Sequence, residues 1–197
     1  MVPRSGTVAD LLSALQQKLE LGDEPIRIAE THSGKVYKEL REEQNVAAIN
    51  EYATLYAEKI PSEELKLDAE DRTIGVFSFD REPNRTHGIP FKFVVKPGEL
   101  FAETKKRLSA RTQIKGKNFE KIKFAVVPRA SFSNAKYLED GECFSFDLIR
   151  KSSFGLTKPL SGDILSDVAA GADDFLGLDH PNKNRSFWGK SDGFSIR

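Results

Sequence analysis

The chain has 197 residues, and its 30 Lys+Arg balance its 30 Asp+Glu, so the formal net charge is zero. That balance excludes a dedicated nucleic-acid or anionic-membrane binder, which needs a basic excess, and the length fits one large domain or two small ones. A single Cys excludes an internal disulfide framework and fits a reducing compartment. No apolar run reaches membrane-span length and no signal-peptide apolar segment follows Met1, so the expectation is a soluble protein of the nucleus or cytoplasm. The hydrophobic content of 39% is modest, and 14 Phe compensate because each buried ring removes a large apolar area from water.

The first element begins almost at once. Thr7 stands three residues before Asp10, a capping-box pattern. Val8, Leu11, Leu12, Leu15 and Leu19 then recur at helical spacing up to Gly22, which reads as the stop. Ile26 and Ile28 alternate with polar neighbours as in a half-buried strand. Ser33-Gly34 reads as a turn and Val36-Tyr37 as the returning strand. Residues 45–50 read as a short helical turn. Leu55, Ala57 and Lys59 alternate with Tyr56, Glu58 and Ile60 until Pro61 ends the run. A second series opens with a strand over 74–79. Phe91, Phe93 and Val95 alternate with Lys92, Val94 and Lys96; Pro97-Gly98 is a turn; and 100–112 is a helix with Phe101, Thr104 and Leu108 on one face. Ile122, Phe124 and Val126 alternate with Lys121, Lys123 and Ala125, the pattern of a strand with one wet face. Tyr137-Leu138 and 144–148 give two more short strands, on either side of the Asp140-Gly141 turn.

Two strands, a helix across the sheet and then further strands is the order of the β-grasp plan of ubiquitin. The second series follows that plan throughout, and the first joins it at the helix. The expected fold is α+β: two tandem ubiquitin-like β-grasp modules, the first (1–72) lacking its N-terminal hairpin and the second at 73–151. A linker at 152–174 and an anchor with a flexible C-terminal tail at 175–197 complete the chain. A β-grasp helix packs on a sheet that includes the opening hairpin, so Leu11, Leu12 and Leu15 are expected to lose part of their cover. The run Phe175, Leu176, Leu178, Asp179 and His180 lies between an acidic Gly- and Ala-rich stretch and a basic, aromatic tail. Chain ends fray unless tied down, so this run is expected to be a structural anchor that fastens the linker onto the last module.

Catalytic chemistry finds little footing. A thiol protease needs a Cys activated by a nearby, oriented His. Cys143 lies in a strand-like Gly-Glu-Cys-Phe-Ser-Phe context without a flanking signature, and reads as a small buried hydrophobe. The three His (His32, His87, His180) have no metal-ligand spacing, so no metal and no cofactor are expected. Asp179-His180 reads as a turn cap beside a packed or solvent-facing ring rather than as a charge pair. Pro97-Gly98 lacks the Gly-rich run of a phosphate loop. Lys121 and Lys123 read as a solvated strand face or a partner surface. Residues 183–197 carry a net charge of +3 with Phe187, Trp188 and Phe194 interleaved, which suits either a docking peptide, whose rings fill pockets while cations steer, or a disordered end.

A resemblance joins these pieces. Gly6-Thr-Val-Ala-Asp-Leu-Leu12 with Leu19-Glu-Leu-Gly22 resembles the helix of the fourth ubiquitin-like module of the herpesvirus-associated ubiquitin-specific proteases. Gly88-Ile-Pro-Phe91, Gly98-Glu99, Phe119-Glu-Lys-Ile-Lys-Phe-Ala-Val126 and Leu176-Gly-Leu-Asp-His180 resemble the fifth module and its exit. The motifs keep the family's order over most of residues 6–183. The tail keeps Ile196 but not the family's Ala-Ile-x-Ile-like ending. The resemblance implies a non-catalytic regulatory region of a deubiquitinating cysteine protease, whose tail activates the catalytic domain of the same enzyme. Phe194, Ile196 and Trp188 are then the expected tail contacts. Another reading is a module that recruits substrate or adaptor proteins while the tail stays idle. A third, an enzyme centred on Cys143, predicts labelling of that thiol by a ubiquitin-based probe.

Overall fold

The computed structural model describes residues 3–68, 71–96, 99, 101–129, 135–138 and 174–182, and the backbone of 193–196. The expected strand at 144–148, Cys143, Trp188, the Pro97-Gly98 turn and all of the linker but Asp174 lie outside the described residues.

The first unit opens with α1 (Val8–Lys18). Its N-terminus is closed as the sequence predicts: the Thr7 N–H donates to Asp10 Oδ2 (2.8 Å) and the Asp10 N–H donates to Thr7 Oγ1 (3.4 Å). The helix ends earlier than Gly22. Glu20 takes a left-handed φ of 53°, Leu21 N–H donates to Gln16 O and Glu20 N–H to Gln17 O, the two bonds of a Schellman cap. Strands β1 (Ile26–His32) and β2 (Lys35–Glu39) form an antiparallel hairpin. Its turn residues Ser33 and Gly34 both have positive φ, as a tight primed turn requires. A 3-10 turn over Val46–Ala48, capped by the Asn45 side chain, leads to β3 (Thr54–Lys59), antiparallel to β1. Val8, Ile28, Leu40, Leu55 and Ala57 make the core between α1 and these strands, while Leu11, Leu12 and Leu15 stay half-buried against it.

The second unit starts with a hairpin of β4 (Arg72–Asp80) and β5 (Glu82–Val95), followed by α2 (Phe101–Thr112) and a four-residue helix, α3 (Lys117–Glu120). Strands β6 (Lys123–Val127), β7 (Lys136–Leu138) and β8 (Phe175–Asp179) complete a five-stranded sheet in the order β5-β4-β8-β6-β7. Helix α2 lays Phe101 and Leu108 on one face of it, over Ile74, Val76, Phe93, Phe124, Leu176 and Leu178. The hairpin exceeds the sequence reading: β5 runs back to Glu82, and the register slips between Val76 and Ser78 where Gly88 to Pro90 form a bulge. Strand β5 lies at the sheet edge, where Pro83 and Pro90 are tolerated.

Strand β6 has no wet face beyond Lys123. Ala125 and Val127 are fully buried with Phe77, Phe79 and Phe175 in a second cluster on the far side of the sheet. The alternation misled because Ala125 reads as a neutral spacer when its cover is out of view. The ubiquitin-like α+β plan holds in both units: the second has the full mixed sheet with its parallel centre, and the first has the helix and last three strands of the same plan.

Candidate functional site: a strand seat beside an ion-paired joint

Residues 175–179, read from the sequence as an anchor beyond the second module, are the central strand of its sheet. Strand β8 runs parallel to β4 (Val76 opposite Leu176) and antiparallel to β6 (Phe124 opposite Leu178). Phe175, Leu176 and Leu178 are buried, the last two completely. The tight fit needs glycine: a Cβ on Gly177 would lie 2.6 Å from Phe79 Cε1. At the strand end Asp179 accepts hydrogen bonds from the Arg81 N–H (2.8 Å) and the Tyr137 hydroxyl (2.8 Å). Burial and that carboxylate push the Tyr137 pKa up to about 12. The His180 N–H donates to Phe79 O, and His87 Nε2–H donates to the His180 carbonyl (2.9 Å) while the two rings meet edge to face at 4.6 Å. Burial, then the neighbouring His87, holds the His180 pKa below 6.5. Asp179 and His180 therefore close the strand with hydrogen bonds and ring packing.

Sequence reasoning did not foresee the joint between the two units. Arg27 sits on the β1 face opposite α1 and is 6% exposed. Its Nε donates to Glu58 of β3 (2.7 Å) and its guanidinium pairs with Glu64. Glu58 also accepts from Arg111 Nη2 of α2 (2.6 Å). Arg107 of α2 bridges Glu63 (3.0 Å) and Glu99 (2.9 Å) and donates to the Val94 carbonyl (2.9 Å). Burial opposes the charged forms of Arg27 and Arg107, but their carboxylate partners outweigh it and raise both pKa values. Burial likewise opposes the Glu99 carboxylate, and Arg107 and Thr104 more than reverse this, lowering its pKa. Alongside, Lys35 Nζ donates to Pro83 O (3.0 Å) and lies 4.5 Å above the Phe77 ring, and burial lowers its pKa. Thr86 Oγ1 donates to Ser33 O (3.1 Å), and Lys92 pairs with Glu39. The signal in the sequence was the polar half of β1 and β3, which looked solvated and is in fact covered by the second unit.

Within the stretch read as a flexible tail, Gly193–Ile196 form strand β9, which extends the first unit's sheet to the order β2-β1-β3-β9. The pairing with β3 is antiparallel, with Leu55 opposite Ile196, Tyr56 opposite Ser195, Ala57 opposite Phe194 and Glu58 opposite Gly193. Two of the predicted tail residues, Phe194 and Ile196, are thus brought to β3. The strand that seats them also carries Glu58, the carboxylate shared by Arg27 and Arg111. Among the described residues no group of three or more His, Cys, Asp and Glu could hold a metal ion. Nor is any described helix long and apolar enough to cross a membrane.

Residues 1–185 match the family described as "Ubiquitin-specific protease C-terminal". The chain is 36% identical over 155 residues to ubiquitin carboxyl-terminal hydrolase 5 of Schizosaccharomyces pombe, covering 76% of this chain and 14% of that protein. It is 32% identical over 190 residues to ubiquitin carboxyl-terminal hydrolase 15 of the same yeast (94% of this chain, 15% of that protein). Ubiquitin C-terminal hydrolase 12 of Arabidopsis thaliana is 32% identical over 162 residues (78% and 14%). The chain thus spans about one seventh of the length of these relatives. Two ubiquitin-like units in this order, and a match over nearly the whole chain, place it in the ubiquitin-specific protease C-terminal family.

Proposed function

We infer that the chain is a non-catalytic regulatory region of a deubiquitinating thiol protease of the herpesvirus-associated type, made of its fourth and fifth ubiquitin-like modules. The modules hold the C-terminal tail at a set distance from the catalytic domain of the same enzyme, and the tail activates that domain. The observation that carries this reading is the tail itself: residues 193–196 adopt a strand on a neighbouring sheet edge, so this segment has a backbone fit for docking. The ion-paired joint supports it too, because a tether acts through effective concentration and a fixed joint narrows the volume the tail explores. Activation of this kind is a shift between two arrangements of the catalytic domain, limited by the tail's differential affinity for them.

The test adds the whole chain to the isolated catalytic domain of a close relative and follows release of a fluorophore from the ubiquitin C-terminus. The expected result is a rise in kcat/KM of several fold that is lost when residues 183–197 are removed. Equal turnover with and without the chain overturns the reading. A rise that survives removal of the tail moves the activity to the modules.

A further inference from the structure

Strand β3 has β1 on one side, and its other edge would present unpaired N–H and C=O groups to any extended segment. Strand β9 covers that edge. The register is selective. Ile196 and Phe194 stand opposite Leu55 and Ala57, which are 9% and 2% exposed and belong to the core beneath α1. Ser195 and Gly193 stand opposite Tyr56 and Glu58, on the face that carries the joint. Cross-strand partners share a sheet face. The apolar–polar alternation of Phe194-Ser195-Ile196 therefore matches a seat that is apolar on one side and ion-paired on the other. A slip by one residue would reverse every position. The seat is also held in place beforehand, because Glu58 at its end is tied to Arg27 of β1 and Arg111 of α2. A rigid seat lowers the ordering cost of binding.

We propose that the edge of β3 away from β1 is a strand-acceptor site for the chain's own tail, Gly193–Ile196, and that seating the tail withholds Phe194 and Ile196 from the catalytic domain. The second half of this rests on the activating role inferred above. One backbone segment cannot pair with β3 and lie in another cleft at the same time. The tail's apparent affinity for its target is accordingly reduced by the fraction of chains whose tail is unseated. Anything that competes for the β3 edge, or that loosens the Glu58 joint, raises that fraction and releases the activator.

The test uses the full chain with Cys143→Ser as background. Directly opposed residues of antiparallel strands have Cα atoms about 4.5–5.5 Å apart, within disulfide range. The pair Tyr56→Cys with Ser195→Cys is therefore expected to cross-link intramolecularly under oxidised glutathione, at least about tenfold faster than the off-register pair Tyr56→Cys with Phe194→Cys. Equal rates for the two pairs, or no cross-link in either, overturn the seat. The cross-linked chain is then added to the catalytic domain before and after reduction. At least about fivefold more activation after reduction is the expected result, and equal activation by the two forms overturns the withholding. If neither form activates, the activating role has failed, while the cross-linking rates still decide the seat. Hydrogen exchange of the unsubstituted chain gives a check that needs no variant: amides of 193–196 exchanging as fast as those of an unstructured peptide overturn the proposal.

Discussion

The two units follow one plan and close it differently. In the second, the late strand β8 enters between β4 and β6, so α2 rests on a sheet with strands on both sides and buries Phe101 and Leu108. In the first, the sheet is the hairpin β1–β2, the returning strand β3 and the distant β9, and of α1 only Val8 is fully buried. Leu11, Leu12 and Leu15 are apolar enough for a core but reach only its margin. A helix buries what the sheet beneath it can cover, so the breadth of the sheet decides the fate of the same heptad-like pattern. The first unit recovers stability elsewhere: its polar face is covered by the second unit through Arg27, Glu58 and Arg111. One unit is stable through its own centre and the other through its neighbours.

That contrast can be broken most forcefully at Arg27. Arg27→Ala leaves Glu58 and Glu64 without their shared cation and is expected to cost about 3–5 kcal/mol, the range for a buried ion pair stripped of one partner. Urea unfolding would show the first unit melting ahead of the second. Leu178→Ala, at the centre of the second unit, is expected to cost about 3 kcal/mol through lost burial and the cavity left behind. The half-buried Leu12→Ala should cost clearly less in the same assay, and equal losses would dissolve the distinction between the two helices. Thr7→Ala, which opens the capping box of α1, should cost about 1 kcal/mol. Removing residues 193–197 should lower the first unit's stability by about 1 kcal/mol or less, since a short edge strand adds few net hydrogen bonds, and should leave the second unit unchanged.

The smallest effect is a pH slope. His180 has a folded pKa below 6.5, so as pH falls through 6.5 the unfolded chain takes up a proton before the folded one does. Stability then decreases with falling pH until the folded pKa is passed. Burial and then the neighbouring His87 cause this lowering, and the Pro181 backbone, Asp179 and Asp80 act against it. Thermal melts between pH 7 and pH 5 should show the slope in the native chain and a shallower one in His180→Gln.

Much of the local structure was legible from residue order alone. The capping box at Thr7 and Asp10, the Ser33-Gly34 turn and the α2 face of Phe101 and Leu108 are short-range signals, and short-range chemistry produces them. One miss is local and the others depend on residues distant in the chain. Glu20 replaces Gly22 at the helix end because the cap depends on hydrogen bonds to Gln16 and Gln17 rather than on residue type alone. Ala125 and Val127 are buried because a second aromatic cluster covers them. Arg27 reads as a solvated strand position until its carboxylate partners from β3 and the 3-10 turn at Glu64–Lys66 are in view. Phe194 and Ile196 stood out in the sequence only through the resemblance and the basic, aromatic make-up of the tail, and the β3 edge that pairs with this segment was not legible.

The sequence by itself determined the α+β class, the ubiquitin-like order of elements in each unit and the importance of the Phe175–Asp179 run, because period, turn chemistry and capping act within a few residues. The tertiary structure alone decided that this run is the parallel centre of a sheet, that Glu58 joins the two units, and that Gly193–Ile196 belong to the first unit's sheet. Each of these joins segments distant in the chain, and such pairing depends on shape, register and burial in the assembled molecule.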